Sequence, residues 1–189
     1  MPMPPLLDTI NWNQVYDSGE TFSDWLNAAD EKKRLRIQEQ MDALEMPPDA
    51  VESLNALSKP VHIVAIAEDW CGDVVRHVPV LERLADACEN VHVRYVTREA
   101  NKDVFVRYLT NGGEAIPKFI FLSDAFVECG NWGPMPQRYK DLIARGKACG
   151  DVAAARAIIA QAYGCDDDRA HTINELIWFI GVAGATSVE

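Results

Sequence analysis

The sequence lacks the common residue patterns that bind metals and nucleotides. None of its five cysteines forms a C-x-x-C pair, and its four histidines show neither H-x-x-H nor H-E-x-x-H spacing. It contains no G-x-G-x-x-G motif and no P-loop, and Gly112-Gly113 is interpreted as the end of a helix. We therefore predict no metal site and no cofactor. An odd number of irregularly spaced cysteines also argues against a disulfide framework and indicates a reducing compartment.

Basic residues and long apolar runs are scarce as well. The 18 lysines and arginines are outnumbered by 29 aspartates and glutamates. The resulting net charge of −11 argues against nucleic acid and anionic membrane surfaces as partners. No apolar run approaches the ~20 residues needed to cross a bilayer. The first ten residues are too proline-rich and too short for a signal peptide. We expect a cytoplasmic location.

The sequence does contain enough apolar residues for a sizeable core, at 48% of the chain. Their spacing alternates between helical and strand periodicity. Helices are predicted over residues 21–44, 50–57, 74–88, 101–110, 135–145, 151–163 and 169–180. Strands are predicted over residues 61–67, 91–96, 116–122 and 125–131.

The order of these elements predicts an α/β fold with a mixed four-stranded sheet and helices on both faces. Two helical crossovers imply that the first three strands are parallel, and the turn at Ser123-Asp124 makes the fourth antiparallel. We predict a helical N-terminal extension at residues 1–58, a core at 59–148 and a helical C-terminal extension at 149–189. The C-terminal extension is expected to dock on the core or on the N-terminal helices.

Cys71 occupies the most informative position in the chain. It belongs to the segment VHIVAIAEDWCGD, in which a buried strand ends and a helix follows. Free backbone N–H groups and the helix dipole favour negative charge at a helix N-terminus, so Cys71 is a candidate thiolate. Asp73 opposes this, because a neighbouring carboxylate raises the pKa of a thiol. Asp73 could instead serve as a proton acceptor.

The segment from Lys59 to Arg145 resembles thioredoxin. Trp70-Cys71-Gly72 matches the start of the W-C-G-P-C motif, and Pro79 matches the proline that kinks the active-site helix. Ile116-Pro117 matches the cis-proline pair that faces the active site, and Gly133 matches a glycine near the same groove. The chain looks most similar to bacterial thioredoxin-like proteins with E-D-W-C-G-D and G-G-x-x-I-P-K-F signatures. The resemblance implies a thioredoxin-like fold and a cis bond before Pro117.

The sequence departs from thioredoxin at the residues that carry its dithiol chemistry. Val74 stands in the place of the resolving cysteine, and Asp73 replaces the proline between the two cysteines. Ala65 stands where thioredoxin keeps a buried acid. A dithiol cycle needs a neighbouring thiol to release the mixed disulfide, and the chain lacks one beside Cys71.

Two functions of different classes remain open at this point. The first is thiol–disulfide chemistry by a monothiol route, with Cys71 as nucleophile and a protein or small thiol or disulfide as substrate. The second is a non-catalytic binding module that recognises a peptide or protein in the cis-proline groove. A monothiol glutaredoxin function is disfavoured, because the residues after Cys71-Gly72 differ from those of that family. The candidate groove residues are Trp70, Gly72, Asp73, Ile116 and Pro117.

The role of each site residue also remains open. Cys71 is a nucleophile, a poorly reactive thiol in a recognition groove, or a packing residue. Trp70 forms either a groove wall or part of the core. Cys129 and Cys149 could in principle resolve Cys71 after movement, and packing or no role at all is the simpler interpretation of each.

Overall fold

A computed structural model describes residues 7–165 and 167–186 of the chain. The elements that precede the sheet are α1 (Trp12–Asp17), α2 (Phe22–Ala28), α3 (Glu31–Asp42) and α4 (Pro48–Asn55). The sheet and its connections comprise β1 (Val61–Ile66), α5 (Gly72–Asp86), β2 (Val91–Val96), α6 (Lys102–Phe105), a 3-10 turn (Val106–Tyr108), β3 (Lys118–Leu122) and β4 (Glu128–Trp132). The chain continues with α7 (Gln137–Cys149), α8 (Val152–Gly164) and α9 (Asp167–Ala183).

The N-terminal region contains more and shorter helices than its sequence pattern predicts. The single helix predicted over residues 21–44 is divided into α2 and α3, because Asp30 leaves helical geometry and caps α3 by accepting a hydrogen bond from the Lys32 N–H. Thr21 caps α2 in the same way. The sequence analysis missed α1, whose six residues are too few to show a helical period.

The sheet is mixed, with strand order β2-β1-β3-β4. β1 and β2 are parallel, whereas β3 is antiparallel to β1 and β4 is antiparallel to β3. The prediction that the first three strands are all parallel is therefore wrong. The reason is the length of α6: four helical residues span about 6 Å, and six strand residues span about 20 Å. So short a helix does not return the chain along the sheet, and β3 starts at the end where β2 finishes.

Helices cover both faces of this sheet. His62 of β1 pairs with Leu122 of β3, so the next residue, Phe121, points to the opposite face of the sheet from His62. Tyr16 of α1 contacts His62 edge-on, and Phe179 of α9 stacks on Phe121. α9 also contacts α4 and α5. The C-terminal extension thus docks on both the sheet and the N-terminal helices. No helix of residues 7–165 and 167–186 is long and apolar enough to cross a membrane.

A buried acid joins α5 to β2. Glu82 is 6% exposed, and its Oε1 accepts a 2.6 Å hydrogen bond from the hydroxyl of Tyr95, which is also buried. Burial raises the pKa of Glu82 from its ordinary value of 4.5 to about 7, because the charged form loses its hydration. Glu82 is therefore largely protonated in the folded protein below neutral pH.

Glu82 is expected to make the protein less stable at alkaline pH. Between roughly pH 4.5 and 7, the folded protein keeps a proton that the unfolded chain releases, so the free energy of unfolding falls as pH rises. We expect Glu82→Gln to abolish this fall and to leave the variant more stable than wild type at pH 8, by on the order of 3 kcal/mol. Urea denaturation at pH 5 and pH 8 measures the difference. Glu89→Gln is the control, because Glu89 is exposed. An equal pH dependence in wild type and Glu82→Gln would contradict the assignment.

Candidate functional site

Cys71 forms the N-cap of α5 and lies at the carboxyl end of β1. Its backbone is extended, and its thiol donates a 3.3 Å hydrogen bond to the carbonyl oxygen of Ile116. The side chain is half-buried. The sequence separates Cys71 and Ile116 by 45 residues, and the antiparallel return of β3 brings them together. The thiol is thus accessible from solution and held in one orientation.

The surroundings of Cys71 raise the pKa of its thiol. Burial is the largest cause, because it disfavours the charged thiolate. The backbone N–H groups of Val74 and Asp73 act in the opposite direction, as the start of a helix should. The carboxylates of Asp73 and Glu68 then raise the pKa further. The net effect is a raised pKa, whereas a helix N-terminus alone would lower it. Cys71 is therefore mainly a neutral thiol at pH 7.

Pro117 lies directly beyond the residue that contacts Cys71. The Ile116–Pro117 bond is cis, and so is the Gly133–Pro134 bond. Gly133 has a φ of +122°, and a Cβ added there would lie 2.0 Å from the carbonyl oxygen of Pro117. Only glycine therefore fits beside this segment. The close approach of two backbones holds the Ile116 carbonyl in place next to Cys71.

Trp70 is 56% exposed, which excludes the interpretation as a core residue. The guanidinium of Arg98 lies 5.4 Å from the centre of its ring. Arg98 is itself held by Glu68 at 3.4 Å and by Glu114 at 2.6 Å. These contacts present one aromatic surface next to the thiol. Gly72, on the other side of Cys71, is exposed, and a Cβ there would meet nothing within 4 Å.

Asp73 begins a chain of hydrogen bonds that leads into the protein. Its Oδ1 accepts a 3.1 Å bond from the hydroxyl of Tyr163 in α8, and that hydroxyl lies 3.2 Å from Nε2 of His77. Nδ1 of His77 lies 3.3 Å from the hydroxyl of Thr172 in α9. Burial lowers the pKa of His77 to about 3, so its imidazole is neutral at pH 7. The C-terminal helices thus orient the carboxylate next to Cys71.

Two open grooves border the thiol and this carboxylate. One has a volume of about 500 Å³ and is bordered by Cys71, Gly72, Asp73, Arg76 and Arg36. The other, of about 570 Å³, passes between the 110–115 loop and helices α7 and α8, and reaches Asp73 and Tyr163. Both volumes fall within the range of small-ligand sites. A bound molecule has access to Cys71 from the first of them.

Sequence comparison assigns the chain to a known family. A family model described as thioredoxin matches residues 19–149. The chain belongs to the thioredoxin family. No curated protein is detectably similar to it in sequence.

Solved structures share its fold at low sequence identity. A protein of unknown function from Pseudomonas aeruginosa superimposes with a TM-score of 0.72 at 18% identity, covering 91% of this chain and 98% of that one. An HIV epitope-scaffold superimposes with a TM-score of 0.75 at 17% identity, covering 94% of this chain and 100% of that one. Identities this low show a common fold and say nothing further about function.

In this member of the thioredoxin family, Cys71 forms no disulfide with any of the other four cysteines. Val74, one helical turn further, is fully buried. Cys88 is buried and donates to the Leu54 carbonyl, and Cys129 on β4 donates to the Val127 carbonyl. All five cysteines are free. Across the described ranges, no three His, Cys, Asp or Glu side chains cluster closely enough to hold a metal ion.

The sequence analysis missed several residues that shape this thioredoxin-family site. Tyr163 follows Asp73 by 90 residues and His77 precedes Thr172 by 95, and no local pattern connects residues so far apart. Nothing in the sequence distinguishes Arg98 from other arginines, because its contacts with Trp70 and Glu68 exist only in the folded chain. The one signal of this network in the sequence is His77, which lies on the apolar face of the helix that follows Cys71.

Proposed function

We propose that this protein takes part in thiol–disulfide exchange through Cys71 by a monothiol route. The observation that carries the proposal is the position of Cys71, which is the N-cap residue of α5, and whose thiol contacts the Ile116 carbonyl and borders an open groove. The family relationship supports the same chemistry. We assign the reaction to the core at residues 59–148, with the helical extensions at 1–58 and 149–189 supporting it.

The exchange requires an external thiol to complete it. Cys71 loses its proton to solvent, and its sulfur attacks one sulfur of a disulfide R–S–S–R. A Cys71–S–S–R bond forms, and R–S⁻ leaves and takes up a proton. Because position 74 is valine, a second thiol from solution then attacks the mixed disulfide and regenerates Cys71. A reducing compartment such as the cytoplasm would supply that thiol.

The remaining groove residues have distinct proposed roles. Deprotonation of Cys71 frees the Ile116 carbonyl, which then accepts a hydrogen bond from the N–H of an extended substrate peptide. Pro117 keeps that carbonyl in place, Trp70 offers an apolar surface, and Gly72 leaves the approach to the sulfur open. Asp73 adds to the effect of burial in raising the pKa of the thiol. The expected partner is a protein or a small disulfide.

One observation favours the second candidate function, a non-catalytic binding module. The pKa of Cys71 is raised, whereas a fast nucleophile needs a lowered one. In that case the same groove binds a peptide or protein, and Cys71 contributes only a hydrogen bond to Ile116. The two functions differ in whether Cys71 ever forms a mixed disulfide.

The pH dependence of Cys71 alkylation tests the proposal. We expect iodoacetamide, followed by peptide mass spectrometry at Cys71, to show a rate that rises with pH and has its midpoint above that of a small free thiol. Asp73→Asn should shift the midpoint downward, because it removes a nearby negative charge. Asp103→Asn, at an exposed position in α6, should leave it unchanged.

A second measurement separates the two functions. Bis(2-hydroxyethyl) disulfide should form a mixed disulfide at Cys71 above this midpoint, and dithiothreitol should release it. Exposed Cys149 reports in the same digest that the reagent is active. If Cys71 stays unmodified at pH 10 while Cys149 reacts, the monothiol route is wrong and the binding module is the better description.

A further inference from the structure

A third pocket, which Cys71 does not line, lies between the residues after α6 and the start of α7. It has a volume of about 370 Å³. Its walls carry three cationic side chains, those of Arg107, Lys118 and Lys140, and one acidic side chain, that of Asp141. The hydroxyl of Thr110 and the amides of Asn111, Asn131 and Gln137 complete its polar lining. This local positive charge is unexpected in a protein with a net charge of −11.

Lys118 forms the floor of the pocket and is only 4% exposed. Its Nζ donates to the Thr110 hydroxyl at 2.7 Å and to the Gly133 carbonyl at 2.9 Å. Both acceptors are neutral, and an ammonium group has three N–H donors. Burial and the nearby Lys140 lower the pKa of Lys118 to about 8. Burial removes hydration from the charged ammonium group, and the positive charge of Lys140 repels it. A bound anion would relieve both effects.

Lys118 is buried with no carboxylate of the described residues acting on it, whereas the carboxylates of Glu175 and Asp141 act on Lys140. Neither Lys118 nor Lys140 forms an ion pair within residues 7–165 and 167–186. These two carboxylates partly offset the charge of Lys140, but their hydrogen bonds go to other residues. Glu175 accepts hydrogen bonds from the indole of Trp132 and the backbone N–H of Gln137, and Asp141 accepts one from the Gln137 side chain. A buried cation is usually paired, so the missing partner of Lys118 points to a ligand.

We propose that this pocket binds the phosphate group of a small ligand through Lys118 and Lys140. Lysine acts as a point charge towards phosphate, and the Thr110 hydroxyl and the amide groups offer further donors to its oxygens. The negative charge of the whole protein disfavours large polyanions, and the pocket volume suits a small molecule. The pocket shares no lining residue with the groove at Cys71, whereas it shares Thr110, Asn111 and Lys140 with the groove that reaches Asp73.

Inorganic phosphate is the first probe, titrated from 0 to about 20 mM at constant ionic strength maintained with sodium chloride, since a ligand that binds only the folded state raises Tm. We expect phosphate to raise Tm of the wild type and to shift the amide signals of Thr110 and Asn111 in NMR spectra. Lys140→Gln should weaken the apparent affinity at least about fivefold, and Lys118→Met should abolish it. Lys102→Gln, a matched change at an exposed lysine outside the pocket, should bind as wild type does.

The outcomes decide the proposal even if Lys118→Met does not fold, because Lys140→Gln and the NMR shifts then carry the test. Equal phosphate binding by Lys140→Gln and Lys102→Gln, or shifts spread evenly over the surface, would overturn it. Malonate binding as tight as phosphate would overturn the assignment to phosphate. A small phosphomonoester identifies the source of the phosphate. Tighter binding than inorganic phosphate indicates a phosphorylated metabolite, and binding of inorganic phosphate alone indicates a site for the free ion.

Discussion

Val74→Cys is expected to create insulin-disulfide reductase activity that the native protein lacks. Position 74 follows Cys71 by one helical turn, and its backbone N–H acts to lower the pKa of the Cys71 thiol. Cα atoms three residues apart on a helix are about 5 Å apart, which lies within the range of roughly 4.4–6.8 Å found for disulfides. A thiol at position 74 therefore resolves the mixed disulfide within the molecule, and the native chain must wait for an external thiol.

Turbidity of reduced insulin, with dithiothreitol as electron donor, measures this gain. Val74→Ala is the matched control, because it also shortens a fully buried valine but adds no thiol. Adding Asp73→Asn to Val74→Cys should increase the rate further, since the Asp73 charge raises the pKa of Cys71. Native activity equal to that of Val74→Cys would mean that another cysteine resolves Cys71. No activity in either folded cysteine variant would show that Cys71 is not presented to substrates, in favour of the binding module.

Gly133→Ala is expected to cause the largest loss of stability among single methyl additions in this chain. The added Cβ would lie 2.0 Å from the Pro117 carbonyl oxygen. This oxygen belongs to the backbone, so a change of side-chain rotamer cannot relieve the clash. A φ of +122° is strained for any residue with a Cβ. We expect the free energy of unfolding to fall by about 3 kcal/mol or more.

Urea denaturation checks this prediction, and the chain offers a glycine control. Gly181 lies in α9 and is exposed, and a Cβ there meets nothing within 4 Å. Gly181→Ala should therefore leave the protein as stable as wild type or more stable by up to about 1 kcal/mol, because alanine favours helix more than glycine does. A Gly133→Ala variant as stable as Gly181→Ala would mean that the segments at Pro117 and Gly133 separate easily, and would remove their proposed role in holding Ile116.

Much of the core could be predicted from local periodicity. The strand predicted at 91–96 has those bounds in the structure, and the helix predicted at 74–88 forms at Gly72–Asp86. Both carry clear apolar periods that local geometry alone satisfies. The direction of β3 could not be predicted in this way. It depends on how far the connection extends, and α6 ends after four residues, whereas its sequence pattern suggested ten.

The candidate site, like the fold, could be predicted from the sequence only in part. The sequence alone determined that Cys71 caps a helix after a buried strand, that valine replaces the resolving cysteine, and, through the resemblance, that Pro117 belongs with Cys71. Only the tertiary structure decided the pKa of the thiol, because that depends on burial and on the carboxylates of Asp73 and Glu68. It also decided that Tyr163 holds Asp73 from 90 residues away and that Lys118 is buried without an acidic partner among the described residues. These features are distances between segments far apart in the chain, and such distances exist only once the helices and strands have packed.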